Sequence, residues 1–240
     1  MFYKQVLFIT PIFWEGVFNG FSGLPIYEKY IYTMYNIFFT AIPIFWFAVM
    51  DTEYWKAKFL ENPSFYIIGL QNLCFSKFIF LRWILYGVAH GALVFFICFE
   101  SFEWQGGSYW LEGCFAYTSV VIIANIKVLN STSDHTFFSL FICLGSIIFY
   151  LIVSVILNYI PSNDLFGVFD ILIYSREFWI GLAFMCFAVV NLDVGLNFIS
   201  DRSKKHVIKM AKGLKDTITF KKLRDWRMES LAKWSLTWRS

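Results

Sequence analysis

Residues 3–51 read YKQVLFITPIFWEGVFNGFSG, then Leu24-Pro25-Ile26, then YEKYIYTMYNIFFTAIPIFWFAVMD. These are two apolar runs joined by a turn. The second carries no charge from Tyr30 to Met50, about the ~20 residues that a helix needs to cross hydrocarbon. The first carries Lys4 and Glu15, where a simple anchor would carry neither. Between the runs, Asn19, Gly20, Ser22, Gly23 and Pro25 supply turn chemistry, because Gly tolerates positive φ and Pro presets φ for a bend. The stretch predicts a helical hairpin in a membrane, its two helices antiparallel neighbours.

The rest of the chain extends that pattern. Of its 240 residues 58% are hydrophobic, 22% aromatic and only 15% charged, with mean hydropathy +0.59, outside the range of soluble domains. Six segments pass the length and polarity test for spans, at about residues 1–19, 30–50, 78–99, 109–128, 136–158 and 178–199. The expected fold is all-α: a polytopic bundle of six transmembrane helices over residues 1–200, followed by a basic cytosolic tail, 201–240. A separate soluble catalytic domain takes about 100 to 150 residues, for which this leaves no room.

Charge placement orients the bundle. The net charge of +3 says little, but 12 of the 20 Lys and Arg lie after Ser200. Lys56, Lys58, Lys77, Lys127 and the tail share a face with the N-terminus, whereas the opposite loops hold Lys29 and Arg176 against six acidic residues. By the positive-inside rule both termini are cytosolic. In the tail, Leu223, Trp226, Leu231, Trp234 and Trp238 recur at helical spacing among basic residues. That pattern suits an amphipathic helix on an anionic leaflet, with autoinhibitory docking as the alternative. The Asn130-Ser131-Thr132 sequon falls in a loop on the cytosolic side.

No metal site and no catalytic residue is predicted. The five cysteines stand singly, without metal-type spacing to the three histidines, and read as small apolar fillers, with a Cys98–Cys114 disulfide as the lesser alternative. The N-terminus lacks the basic region and small-residue site of a cleavable signal. Nothing points to nucleic acid.

An ionisable group inside a span costs about 2.5 to 3.5 kcal/mol on insertion scales, so each calls for a partner, a water path or an interface. From the residues alone, Lys4 snorkels to the cytosolic edge. Asn36 and Thr40, four apart on span two, read first as helix-to-helix hydrogen bonders and second as lipid contacts. Glu15, Arg82, Glu112 and Lys127 lie near span ends and read as interfacial. His90 reads as a satisfied bundle histidine, Asp193 as a partner of basic residues, and Pro11 and Pro43 as ladder breaks of the kind transporter helices use.

The order Tyr3-Lys4, Trp14, Phe18-Asn19-Gly20-Phe21-Ser22-Gly23, Tyr27-Glu28, Tyr35-Asn36, Thr40 and Pro43 resembles the fifth and sixth membrane helices of the phospholipid flippases, the type IV P-type ATPases. From Glu112 the run EGCFAYTSVVIIANIKVLNSTSDHTFFSLFICLGSIIFY resembles their eighth and ninth helices, and Phe178-Trp179 through Leu192-Asp193 their tenth. In the 51–77 loop, Pro63, Tyr66, Gly69 and Gln71 match in part, Ser64 standing where the family has an acidic residue.

The resemblance implies a C-terminal membrane part of an ATP-driven translocase that moves aminophospholipid from the exoplasmic to the cytosolic leaflet. It places Lys4 and Gln5 on the headgroup path, with Gln5 where the family usually has Asn, and Asn36 and Thr40 join them as substrate-path candidates. ATP and Mg²⁺ are implied for the complete pump but not for this chain, which has no Asp-Lys-Thr-Gly motif and no Gly-rich nucleotide loop. Alone it is expected to be inactive, a piece cut within the fifth helix. Implied partners are the membrane, a phospholipid, and a two-span accessory glycoprotein bound by the outward loops 100–108 and 159–177. The implied residence is Golgi, endosomal or plasma membrane. The alternative is a stand-alone, non-catalytic protein on the same scaffold that binds the accessory subunit.

Overall fold

The computed structural model describes residues 2–51, 77–103, 108–132 and 136–195. All regular elements among them are helices, with no strand. Helix α1 is Phe2–Phe18. The second span is broken into α2 (Lys29–Met34), a π turn (Tyr35–Phe39) and α3 (Ala41–Met50). Then come α4 (Lys77–Glu103), α5 (Tyr109–Ser131), α6 (Phe137–Asn158), a short α7 (Val168–Tyr174) and α8 (Arg176–Gly195). Five of these segments are long and apolar enough to cross a membrane, the broken second span included. The 17 described residues of α1, the first of the six expected spans, fall just short of that length.

By contacts the chain divides into two units, Met1–Trp55 with Lys77–Leu192, and Lys56–Ser76 with Asp193–Ser240. The tail's amphipathic pattern and the Pro63–Gln71 segment lie outside the described residues.

The predicted turn ends α1 in a Schellman geometry: Gly20 takes φ 66°, and the Phe21 N–H reaches back to the Gly16 carbonyl at 2.7 Å. Phe21 itself sits at φ 57°, an uncommon value for an aromatic residue. Beyond it, Glu28 caps α2, its Oε2 accepting from the Tyr30 and Ile31 N–H groups at 2.7 and 3.0 Å, while Oε1 accepts from the Asn163 amide at 3.2 Å.

The two hairpin helices meet through side chains. The closest backbone neighbour of α1 is instead α4, which runs parallel to it. The cause is a Gly-x-x-x-Gly seam in α4: a Cβ at Gly87 would lie 2.9 Å from Val6 Cβ, and one at Gly91 only 2.5 Å from Thr10 Cβ. Small residues four apart let two membrane helices approach backbone to backbone. Pro11 helps, because it has no N–H for the Leu7 carbonyl, and that carbonyl faces the Gly91 backbone.

Helix α5 is the buried centre, with Gly113 through Val121 inaccessible along both faces. Gly113 lets the Ile26 carbonyl of the turn lie directly against it. The other long helices keep wide apolar faces exposed, as lipid-facing helices must, for example Phe141, Ile148 and Ile152 on α6. Around Tyr117 of α5 a stack of rings ties the helices together. Phe8 lies flat on Tyr35 at 4.2 Å between centroids, and Tyr117 meets Tyr27 edge-on at 5.2 Å. Offset and edge-to-face pairs of this kind add about 0.5 to 1.5 kcal/mol each beyond area burial.

The π turn has a readable cause. In a continuous helix the Phe39 carbonyl would accept from residue 43, but residue 43 is proline, which has no donor and whose ring clashes with that carbonyl. The extra residue in the turn relieves the clash. The orphaned carbonyl is satisfied from two other helices, by Asn125 Nδ2 of α5 at 3.2 Å and by a short bond from Ser146 Oγ of α6. Both donors are buried, so the break is held from the core side.

Two sets of substitutions test this packing by thermal unfolding in matched detergent. Gly91→Ala should destabilise by about 1 to 3 kcal/mol through overpacking, whereas Gly145→Ala, whose Cβ would meet nothing within 4 Å, should be neutral or stabilising by up to about 1 kcal/mol. The double change Asn125→Ala with Ser146→Ala should cost about 1 to 3 kcal/mol, because a buried carbonyl loses both donors. Adding Pro43→Ala, which restores a backbone N–H, should recover part of that loss. An equal cost with and without Pro43 would mean that the proline does not create the need for these donors.

Candidate functional site

The four residues singled out in the sequence converge where α1 crosses the break in the second span. Lys4 is 6% exposed, and its Nζ donates to Thr40 Oγ1 at 2.9 Å. It does not snorkel outward, because the first turn of α1 is pinned by two neighbours. Tyr35 donates its hydroxyl to the Lys4 carbonyl at 3.0 Å, and the Tyr35 ring lies 5.8 Å from the ammonium. Thr40 spends its own proton on the Tyr35 carbonyl, at 2.7 Å, and so offers the lysine a lone pair. That bond spans five residues and belongs to the π turn. The break therefore builds the acceptor that holds the ammonium.

Thr40 Oγ1 is the one hydrogen-bond acceptor for the Lys4 ammonium among the described residues, and no carboxylate there pairs with it. An ammonium has three protons to donate. Beside it, Gln5 donates its amide to Asn36 Oδ1 at 2.7 Å. Asn36 is exposed and Gln5 half-buried, so this pair forms the accessible lip of the seam and Lys4 with Thr40 its buried back. Asn36 and Thr40 do not share one helical face as their spacing predicts; the π turn points Thr40 inward and leaves Asn36 at the surface.

A second polar cluster lies on the α4 side of the same helix. The Tyr3 hydroxyl hydrogen-bonds His90 Nδ1 at 2.7 Å, so His90 is held within the bundle. Lys127 differs from its interfacial reading. It is 8% exposed and its ammonium lies 5.4 to 5.5 Å from the rings of Tyr3, Trp83 and Tyr86. Three ring faces around one cation replace part of its lost hydration. Glu15 is likewise buried, at 5% exposed, with Oε1 accepting from Asn19 at 3.2 Å. Cys98 and Cys114 are separate buried thiols, which removes the disulfide alternative.

Sequence reasoning missed Asn125 and Ser146, the residues that support the break. The signal was present: a proline at 43 orphans the carbonyl at 39, and buried Asn and Ser in neighbouring spans are the natural donors for it. Among the described residues no three His, Cys, Asp or Glu side chains gather where they could hold a metal ion.

Known proteins share this arrangement of sequence. The family described as phospholipid-translocating P-type ATPase, C-terminal, matches residues 1–206. Phospholipid-transporting ATPase ID of Homo sapiens is 32% identical over 175 residues, which is 70% of this chain and 14% of the relative. Phospholipid-transporting ATPase DRS2 of Saccharomyces cerevisiae is 31% identical over 205 residues, 79% of this chain and 15% of the relative. Probable phospholipid-transporting ATPase 12 of Arabidopsis thaliana is 27% identical over 197 residues, 77% of this chain and 16% of the relative. The chain thus spans less than a fifth of the length of these curated relatives. With the family match covering most of its residues, the chain belongs to the phospholipid-translocating P-type ATPases and corresponds to their C-terminal membrane region.

Proposed function

We propose that this chain supplies the C-terminal membrane part of an ATP-driven phospholipid translocase that moves aminophospholipid from the exoplasmic to the cytosolic leaflet, with Lys4, Gln5, Asn36 and Thr40 on the headgroup path. The observation that carries the reading is the Lys4 ammonium, buried at the break of the second span with a hydroxyl for a partner and no carboxylate among the described residues. A buried cation kept short of acceptors is costly in a bilayer, and a passing phosphate or carboxylate would satisfy it. The Gln5–Asn36 amides, both donors and acceptors, stand at the open lip where a headgroup would first be met.

ATP and Mg²⁺ are the cofactors of the complete pump in this reading, acting through parts other than these helices. Both termini are cytosolic by the distribution of basic residues. The accessory two-span glycoprotein docks on the outward loops 100–108 and 159–177. Support for the second loop is its internal bonding and its exposed ring: Asn158 donates to Asp170 Oδ2 and accepts from the Phe169 N–H, both at 2.9 Å, and Tyr174 stands 87% exposed. Residues 104–107 of the first loop lie outside the described residues.

In the assembled pump, Lys4→Ala should lower lipid-stimulated turnover by about tenfold or more, the loss of one charge-assisted contact of about 1.4 kcal/mol. Phosphorylation by ATP should stay intact. Gln5→Asn should shift headgroup preference more than maximal rate. Radiolabelled phosphoenzyme and lipid-dependent ATPase assays read the two effects separately, and unchanged lipid dependence in both variants would make the pair structural.

A further inference from the structure

A groove of about 440 Å³ opens between the start of α2 and the end of α6. Lys29, Tyr30 and Met34 line it from one side, and Leu157, Ile160 and Ser162 from the other. By order along the helices, Met34 and Leu157 lie deeper in the span than Lys29 and Ser162, so the groove is polar at its mouth and apolar below. It is a separate place from the Lys4 seam. Lys29 precedes Thr40 by about 16 Å of span, at ~1.5 Å per residue.

Lys29 is exposed, and among the described residues no carboxylate pairs with it. The adjacent Glu28 is unavailable because it is buried and both of its oxygens are occupied, one by the Tyr30 and Ile31 N–H groups and the other by Asn163. Asn163 is itself committed, its amide to Glu28 and its Oδ1 to the Leu165 N–H at 2.8 Å. The Lys29 ammonium rests 5.0 Å from the Tyr30 ring centroid, which steadies it at the mouth without neutralising it. The exposed Ser162 hydroxyl offers a second donor at the same rim.

We propose that this groove holds a phospholipid that is not in transit, with its phosphodiester on Lys29 Nζ and Ser162 Oγ and an acyl chain against Met34 and Leu157. The lipid belongs to the outer leaflet, given the cytosolic termini proposed above. A cation over an apolar slot is complementary to the amphiphile in both charge and polarity. The lipid would brace α2 against α6, the helix whose Ser146 supports the break.

The test reconstitutes the full chain in phosphatidylcholine nanodiscs with a phosphatidylglycerol probe carrying a diazirine in one acyl chain, and maps the adducts by mass spectrometry. Adducts are expected on the peptides of Met34 and of Leu157–Ile160. Lys29→Gln should weaken labelling about tenfold, and Lys29→Arg should keep it. Unlabelled phosphatidylglycerol should compete and soluble glycerol phosphate should not. Equal labelling of Lys29→Gln at unchanged helicity and melting would overturn the proposal. So would equal labelling by a diacylglycerol probe without phosphate, which would show apolar adhesion only, and so would displacement by glycerol phosphate, which would show a soluble-phosphate site. Should Lys29→Gln fail to fold, Met34→Trp fills the slot without touching the charge, and unchanged labelling in that variant would overturn the proposal as well.

Discussion

The carbonyl of Phe39 is the constraint on which the rest of the site depends. Proline at 43 denies it a helical donor, Phe39 is buried, and an unsatisfied carbonyl in hydrocarbon costs several kcal/mol. The protein answers with donors from α5 and α6, and by doing so it fixes the π turn between three helices. Within the turn, Thr40 bonds back to Tyr35, and that bond aims the hydroxyl at Lys4. A single missing N–H thus propagates through three side chains to the placement of a buried cation.

The same logic explains why α1 holds its lysine in the bundle. A lysine near a helix start would ordinarily stretch to the interface. Here the glycines of α4 draw the backbone of α1 close, Phe8 stacks on Tyr35, and the Tyr35 hydroxyl takes the Lys4 carbonyl. On the opposite side, Tyr3 turns to His90 and to the ring cage around Lys127. Successive residues, Tyr3 and Lys4, therefore serve two different helix contacts, and helix geometry separates them by about 100°. Lys4 and Lys127 both lie near aromatic rings, which stabilise them while leaving an ammonium able to bind an anion.

Much of this was legible in the sequence, and for physical reasons. Span positions follow from length and hydropathy, and the α1 turn from Asn19-Gly20, which the structure places at the expected C-terminal cap. Lys4, Gln5, Asn36 and Thr40 do come together, as antiparallel neighbours should. What the sequence concealed depended on tertiary contact. Uniform apolar runs carry no strong signal for which face is inside, so the burial of Glu15 and Lys127 could not be read from their distance to a span end. The helical face assumed for Asn36 and Thr40 failed because spacing by four presumes an α-helix, and the wider π turn at Tyr35–Phe39 lies between them. The Gly87–Gly91 seam was not read from the sequence, and an antiparallel hairpin does not say which further helix lies against the backbone of α1.

The most direct test is the chemical accessibility of Lys4. In nanodiscs, a membrane-impermeant amine-acylating reagent can be applied to both faces and the lysines followed by mass spectrometry, with the exposed Lys77 as internal reference. A buried ammonium held by Thr40 should be acylated at least about a hundredfold more slowly than Lys77, and Thr40→Val should raise its rate, since loss of one charge-assisted hydrogen bond frees the side chain by about 1.5 to 3 kcal/mol. Acylation of Lys4 at the rate of Lys77, unaffected by Thr40, would contradict the account.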